Sequence, residues 1–216
     1  MVLLGPTIGG LRKLLAICED YANKHGLKYN SNKSELLVFK GRNKPPNSVP
    51  PVYLNGSPLK RVTQFRYLGH IVNEDLKDDC DIERERRALS VRGNMLARRF
   101  AGCTLNVKVT LFKAFCQIFY TSSLWTSYSQ KSYSALRILY NNLFRMMVGL
   151  PRHCSASGMF ADAHTDDFFA LMRKKVASLI RRVRGSSNSL LQVVEGRLDG
   201  AVLGRFNELH ATRAPR

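Results

Sequence analysis

Acidic residues are scarce in this 216-residue chain. Its 16 aspartates and glutamates stand against 34 lysines and arginines, which leaves a formal net charge of +18 and a pI near 10.1. So large an excess repels itself in the folded state and favours a polyanionic partner, because each cation laid on a phosphate releases counterions. Long apolar runs are missing too. No segment approaches the ~18 consecutive apolar residues that span a bilayer. No basic stretch leads an apolar core at the N-terminus, so neither a membrane partner nor a secretory leader is expected. The cysteines, Cys18, Cys80, Cys103, Cys116 and Cys154, are odd in number, widely spaced and without a C-x-x-C pair. They read as reduced thiols of an intracellular protein. His153, Cys154 and His164 are too sparse for a zinc site. No Walker loop, dinucleotide fingerprint or Ser/His/Asp arrangement is present, and no small-molecule cofactor is expected.

What is there suffices for one or two folded domains: 44% of the residues are hydrophobic. Residues 1–76 read as mixed α/β. Val2 to Leu4 reads as a short strand, and Gly9-Gly10 as a break before a helix. Leu11, Leu14, Leu15, Cys18, Tyr21 and Ala22 then recur at helical spacing, and Gly26 reads as a left-handed cap. Glu35 to Phe39 reads as a strand and Gly41 to Pro51 as a polar, proline-rich connection. Val52-Tyr53-Leu54, Asn55-Gly56 and Ser57-Pro58-Leu59 predict a hairpin, because Asn-Gly suits the two positive-φ positions of a type I′ turn. Phe65 to Val72 reads as the next strand.

From Asp78 onward the pattern turns helical. Helices are predicted over 78–100, over 106–120 with a stripe of Leu111, Phe115, Ile118 and Ser122, and over 132–148 with Leu136, Leu139, Tyr140, Leu143 and Met147 on one side. Gly149-Leu150-Pro151 stops the third. A short helix is expected over 155–163, and a longer one over 166–184 capped by Thr165 or Asp166. A last short helix is expected over 190–195, with a loose tail after Gly196. The acidic run of Glu74, Asp75, Asp78, Asp79, Asp81 and Glu83 reads as carboxylates gathered at a helix start, where they cap free N–H groups, and not as a metal site. Arg84, Arg86, Arg87, Arg92, Arg98 and Arg99, then Arg173, Lys174, Lys175, Arg181, Arg182 and Arg184, mark two helices as cationic surfaces suited to phosphate. No base-reading pattern is visible, so binding led by shape and charge is expected.

Several fragments taken in order carry a family resemblance. They are Met1-Val2-Leu3-Leu4, then Asn30-Ser31-Asn32-Lys33 leading into the 35–39 strand, then Phe65-Arg66-Tyr67-Leu68-Gly69-His70. Asp81-Ile82-Glu83-Arg84, the Val107-Lys108 to Cys116 helix, Leu124-Trp125, and Leu150-Pro151-Arg152 with Ser155-Ala156-Ser157 follow. This order resembles the downstream half of a non-LTR (LINE-type) retrotransposon reverse transcriptase over roughly residues 1–195. The resemblance implies an α+β fold in three parts: a partial polymerase palm over 1–76, a helical thumb over 77–150, and a C-terminal helical extension over 151–216. It makes Lys33, in the position of motif D, an accessory candidate near a leaving pyrophosphate. It makes Tyr67 and Gly69 part of motif E, the primer grip. It makes Arg84, Arg87, Arg98, Arg99, Arg173, Lys174 and Arg181 contacts to the backbone of an RNA template and DNA primer. In that family an Ala-Asp-Asp turn precedes a strand like Met1 to Leu4 and holds catalytic Mg2+. Neither that turn nor the other catalytic aspartate has a counterpart here. The resemblance therefore implies an N-terminally truncated enzyme, inactive alone, with no metal or cofactor of its own. A nuclear location is implied by the family. The alternative expectation is a non-catalytic, basic, helical nucleic-acid-binding or scaffolding protein derived from such an element.

Overall fold

The computed structural model describes residues 1–41, 48–195, 204 and 208. Small two-stranded sheets come first and helices follow, so the chain is mixed α/β. It divides into two compact units, residues 1–67 with 71–76, and residues 68–70 with 77–216.

In the first unit, α1 (Ile8–Lys24) starts one turn earlier than its glycines suggest. The Thr7 side chain caps it by accepting from the Gly10 N–H, which brings Gly9 and Gly10 inside the helix. The expected strand at Val2 to Leu4 does not form, because no strand pairs with it among the described residues; Leu3 packs on the core as an extended segment. A 3₁₀ turn at Ser31–Lys33 leads into β1 (Glu35–Leu37), which pairs in parallel with β4 (Lys60–Val62), Glu35 opposite Lys60. The predicted hairpin forms from β2 (Tyr53–Leu54) and β3 (Ser57–Pro58), with Asn55 at φ 50° and Gly56 at φ 73°. Leu15, Leu36, Val52 and Leu54 make the buried core. The Glu19 carboxylate accepts from the Asn55 N–H and ties α1 to the turn. Part of the Gly41 to Pro51 connection, residues 42–47, lies outside the described residues.

Phe65 to Val72 is not one strand. Leu68 at φ 46° and Gly69 at φ 86° fold it into β5 (Gln64–Tyr67) and β6 (His70–Asn73), and residues 68–70 group with the second unit.

The second unit is helical. α2 (Asp79–Arg99) packs along α4 (Gln130–Val148), with α3 (Leu105–Cys116) beside both. At Gly93 the two helices approach so closely that an added Cβ would lie 2.6 Å from both methyls of Leu143. α4 ends where expected, on Gly149 at φ 76°. α5 (Ala156–Asp162), α6 (Phe168–Arg184) and α7 (Ser189–Glu195) complete the unit. Asp167, not Thr165 or Asp166, caps α6 by accepting from the Ala170 N–H at 2.7 Å. Thr165 donates to the Ala163 carbonyl and Asp166 pairs with Lys174. The core is aromatic: Phe112 meets Phe144 at 4.9 Å and Tyr140 at 5.0 Å, and Tyr140 stacks on Phe160 at 5.3 Å. The stripe expected over 106–120 holds in part, since Leu111 packs partly buried on the core and Ser122 is buried. Phe112 and Cys116 are buried and Phe119 just beyond them, while Phe115 and Ile118 are exposed. Burial pushes the Cys116 thiol up to about 11, which keeps it protonated and unreactive. The tail after Gly196 lies, but for residues 204 and 208, outside the described residues.

Candidate nucleic-acid interface

The acidic run at the start of α2 is neither a set of caps nor a metal cluster. Asp78 occupies the N-cap position, yet its carboxylate accepts from the N–H groups of Thr126 and Ser127 at 2.7 and 2.9 Å. Asp79 accepts from the N–H and hydroxyl of Ser129. These two carboxylates fasten the 126–129 segment to the helix start. Asp81, wholly buried, is the hub of a second network. It accepts from Thr121 Oγ1 at 2.6 Å, Trp125 Nε1 at 2.7 Å and Arg84 Nε at 2.7 Å, and lies 3.1 Å from His70 Nδ1. Burial alone would push its carboxyl up; the bonds from His70, Arg84, Thr121 and Trp125 outweigh it and hold the group well below the usual carboxylate range. Glu85, also buried, pairs with Arg84 and Arg92. Among the described residues no group of three or more metal-ligating side chains converges.

This network corrects the expected role of Arg84. On the helix wheel Arg84 shares a side with Arg87 and Arg98, but its guanidinium turns inward to Asp81, Glu85 and Thr121. It serves the fold and has no free fork for phosphate. Arg87 stays exposed and bonds Glu83, which Arg86 and Arg87 together hold down to about 2. Arg98 and Arg99 lie exposed in the last turn of α2, beside a shallow concavity lined by Ser90, Val91, Asn94 and Met95. Neither pairs with a carboxylate among the described residues.

On α6 the cations form a row. At 100° per residue, Ala170, Arg173, Lys174, Ala177, Arg181 and Arg184 all fall within roughly 100° of the helix circumference. Ala170 and Ala177 leave a shallow recess between Arg173 and Lys174. Lys174 is tied to Asp166 at 2.6 Å; Arg173, Arg181 and Arg184 have no carboxylate partner among the described residues. Lys175, on another side of the helix, is half-buried, and burial lowers its ammonium despite Glu85 nearby. It is only partly open to solvent.

The two motif candidates fall mostly in the first unit. Lys33 ends the 3₁₀ turn, exposed, its N–H held by Asn30 Oδ1 at 3.1 Å. Tyr67 ends β5, exposed, with Phe65 6.3 Å away. Gly69, in the second unit, lies under the ring of Tyr120. Sequence reasoning passed over Tyr120 and Thr121, and quoted His70 within motif E without a role of its own. The one available signal was the single tryptophan, Trp125, whose buried indole N–H requires an acceptor.

Comparisons with protein families, with curated proteins and with solved structures find no match. Among the described residues no helix is long and apolar enough to cross a membrane.

Proposed function

We propose that this chain is the template-primer-holding part of a reverse transcriptase of the non-LTR retrotransposon type. In this reading its first unit belongs to the polymerase palm, and its second to the thumb and the helices that follow. The supporting observation is the set of exposed arginines without carboxylate partners among the described residues, Arg98 and Arg99 on α2 and Arg181 and Arg184 on α6, with the partly buried Arg173 beside them, on a chain of net charge +18. The ligand is the sugar-phosphate backbone of an RNA template and DNA primer, engaged by charge and shape. A nuclear location belongs to the same reading. Nucleotide addition is not assigned to this chain, because Asp78, Asp79, Asp81, Glu83 and Glu85 are already engaged by N–H, hydroxyl and guanidinium groups. The Mg2+-binding carboxylates belong elsewhere in the intact enzyme.

The test is equilibrium binding of the full chain to an RNA–DNA duplex over a range of salt. Affinity should fall steeply with salt, and replacing Arg98, Arg99, Arg173 and Arg181 with glutamine should flatten the slope by up to about 0.9 per lost phosphate contact. Salt-insensitive binding, or none, overturns the reading. Primer extension by the isolated chain would overturn the assignment of chemistry elsewhere.

A second reading draws support from the second unit, whose aromatic core is built from its own residues. It is a free-standing nucleic-acid-binding protein derived from such an element. A single cooperative melt of the whole chain favours it. A first unit that stays molten while the second melts cooperatively favours the polymerase part.

A further inference from the structure

The row of cations on α6 runs into a joint that has no part in the binding surface described above. Residues 186–188 form an irregular segment between α6 and α7. Its outer members are occupied. Ser186 Oγ accepts from the Asn188 N–H at 3.2 Å, and Asn188 Oδ1 accepts from the N–H groups of Leu190 and Leu191, which starts α7. Ser187 between them is exposed, and no hydrogen bond ties its hydroxyl among the described residues. Its backbone takes no part in the turn and cap bonds on either side.

The residues before Ser187 carry charge in a definite pattern. Arg184 stands three positions earlier and Arg182 five positions earlier, both exposed, with the exposed Arg181 next to them. Arg182 Nε reaches only the Ser178 carbonyl, at 3.3 Å, and no ion pair engages any of the three among the described residues. Protein kinases select among hydroxyls by the charge around the acceptor, and arginines at these two positions suit a kinase with an acidic cleft. Presenting them requires only the last turn of α6 to open, and helix ends fray. Two other exposed hydroxyls follow cations, and both are held. Thr63, after Lys60-Arg61, ends a paired strand and its carbonyl accepts from the Glu74 N–H at 2.9 Å; Ser155, after Arg152, lies 3.1 Å from Ser157 Oγ.

We propose that Ser187 is a phosphoacceptor for an arginine-directed serine/threonine kinase, and that its phosphate switches off the α6 part of the backbone-binding surface. The proposal rests on the function above and adds its regulation. In the transfer the Ser187 oxygen bonds to the γ-phosphorus of ATP. The bond from that phosphorus to the β-phosphate oxygen breaks, ADP leaves, and the hydroxyl proton passes to the kinase's catalytic base. The product brings about two negative charges and three acceptor oxygens to the end of the cationic row. The dipole of α6 opposes an anion at this end of the helix, so the phosphate is held by Arg181, Arg182 and Arg184. It does to them what the Asp166 carboxylate does to Lys174 at 2.6 Å, and withdraws them from a nucleic-acid backbone.

The experiment treats the full chain with Mg2+, ATP and a purified kinase selective for arginine at the third and fifth positions before the acceptor. Mass spectrometry should place one phosphate on Ser187. Arg182→Gln should slow its addition severalfold, and Ser187→Ala should abolish it. The phosphorylated chain should bind an RNA–DNA duplex about tenfold more weakly than the untreated chain, with a shallower salt slope, and phosphatase should restore both. Ser187→Ala should bind like the untreated wild type before and after kinase treatment; its exposed position lets it fold, and an unchanged circular dichroism melt verifies it. Phosphate added to Thr63, Ser90, Ser155 or Ser186 in place of Ser187, or none added, overturns the proposal and leaves backbone binding standing. So does a phosphate on Ser187 that leaves duplex affinity unchanged. An untreated chain that binds no duplex overturns the reading above and the switch with it.

Discussion

The two units bury apolar residues on different scales. The first gathers four buried side chains, Leu15, Leu36, Val52 and Leu54, between one helix and short strand pairs. The second gathers eighteen among its described residues, from Ile82 to Met172, with aromatic rings in mutual contact from Phe112 through Tyr140 to Phe168. Hydrophobic stabilisation grows with apolar area removed from water, so the second unit has far more of it to set against its conformational entropy. The first unit relies more on local devices: the Thr7 cap, the Asn55-Gly56 turn, and Lys40 bridging Glu74 and Asp75. Two-stranded pairs are marginal without packing against a helix, and here α1 supplies that packing. The contrast teaches that in the second unit the helices bearing exposed arginines are seated on a large apolar core and, at the start of α2, on a buried carboxylate.

Four measurements sharpen or break this comparison. The largest effect is expected from Asp81→Ala, which strands the Trp125 indole, Thr121 and Arg84 around an empty site. Loss of a buried charge partner of this kind costs about 3–5 kcal/mol, read as a lower urea midpoint of Trp125 fluorescence; a change below ~1 kcal/mol would show that the network is not a mainstay of the second unit. Leu54→Ala removes one of the four core residues of the first unit and should cost about 2–3 kcal/mol there. Because Trp125 lies in the other unit, its fluorescence transition should stay in place while hydrogen exchange across β2 and β3 accelerates. A shifted tryptophan transition would mean that the two units unfold together.

Gly93→Ala comes third. The new methyl meets Leu143, itself buried, and overpacking should cost about 1–2 kcal/mol net of the better helix propensity of alanine. Leu143→Ala, which opens a cavity at the same contact, should lower the cost of Gly93→Ala in the double variant, as a cycle of melts will show. The smallest effect is expected from acid. The Asp81 carboxyl is held below its unfolded value of 3.8, so its contribution is present above that pH and is lost as pH falls further. Glu83, at about 2, acts in the same direction but is more than a third exposed, and solvent screening leaves it a small contribution. The Trp125 urea midpoint should therefore stay flat from pH 7 to 5 and decline from about pH 4 downward, and the decline should shrink in Asp81→Asn.

Much of the fold was legible in the residues because local signals agreed with the final packing. The Asn55-Gly56 turn, the Gly149 stop, the extent of α2, and the Leu136, Tyr140, Leu143, Met147 face of α4 all follow from turn chemistry and helical period. α3 misled in part because Phe115 and Ile118 are as apolar as Phe112, Cys116 and Phe119, so periodicity could not choose between faces 100° apart. The aromatic contacts of Phe112 with α4 made the choice. The 65–72 segment misled because a leucine seldom takes a positive φ, and Leu68 does so in the turn whose His70 reaches Asp81. The candidate interface was half legible. Arg181 and Arg184 lie exposed on α6, a face that the sequence reading did not assign, whereas Arg84 lies on the expected side of α2 and points elsewhere.

The sequence by itself determined the charge, the helical second half and the hairpin, because these depend on residue type and short-range spacing. Only the tertiary structure decided which charges are free. A carboxylate and a guanidinium cancel or stay available according to whether burial brings them within hydrogen-bond reach. That is how Asp81, an apparent cap, became the hub holding His70, Thr121 and Trp125, and how Tyr120, unremarked in the sequence, came to lie open on the turn at Gly69.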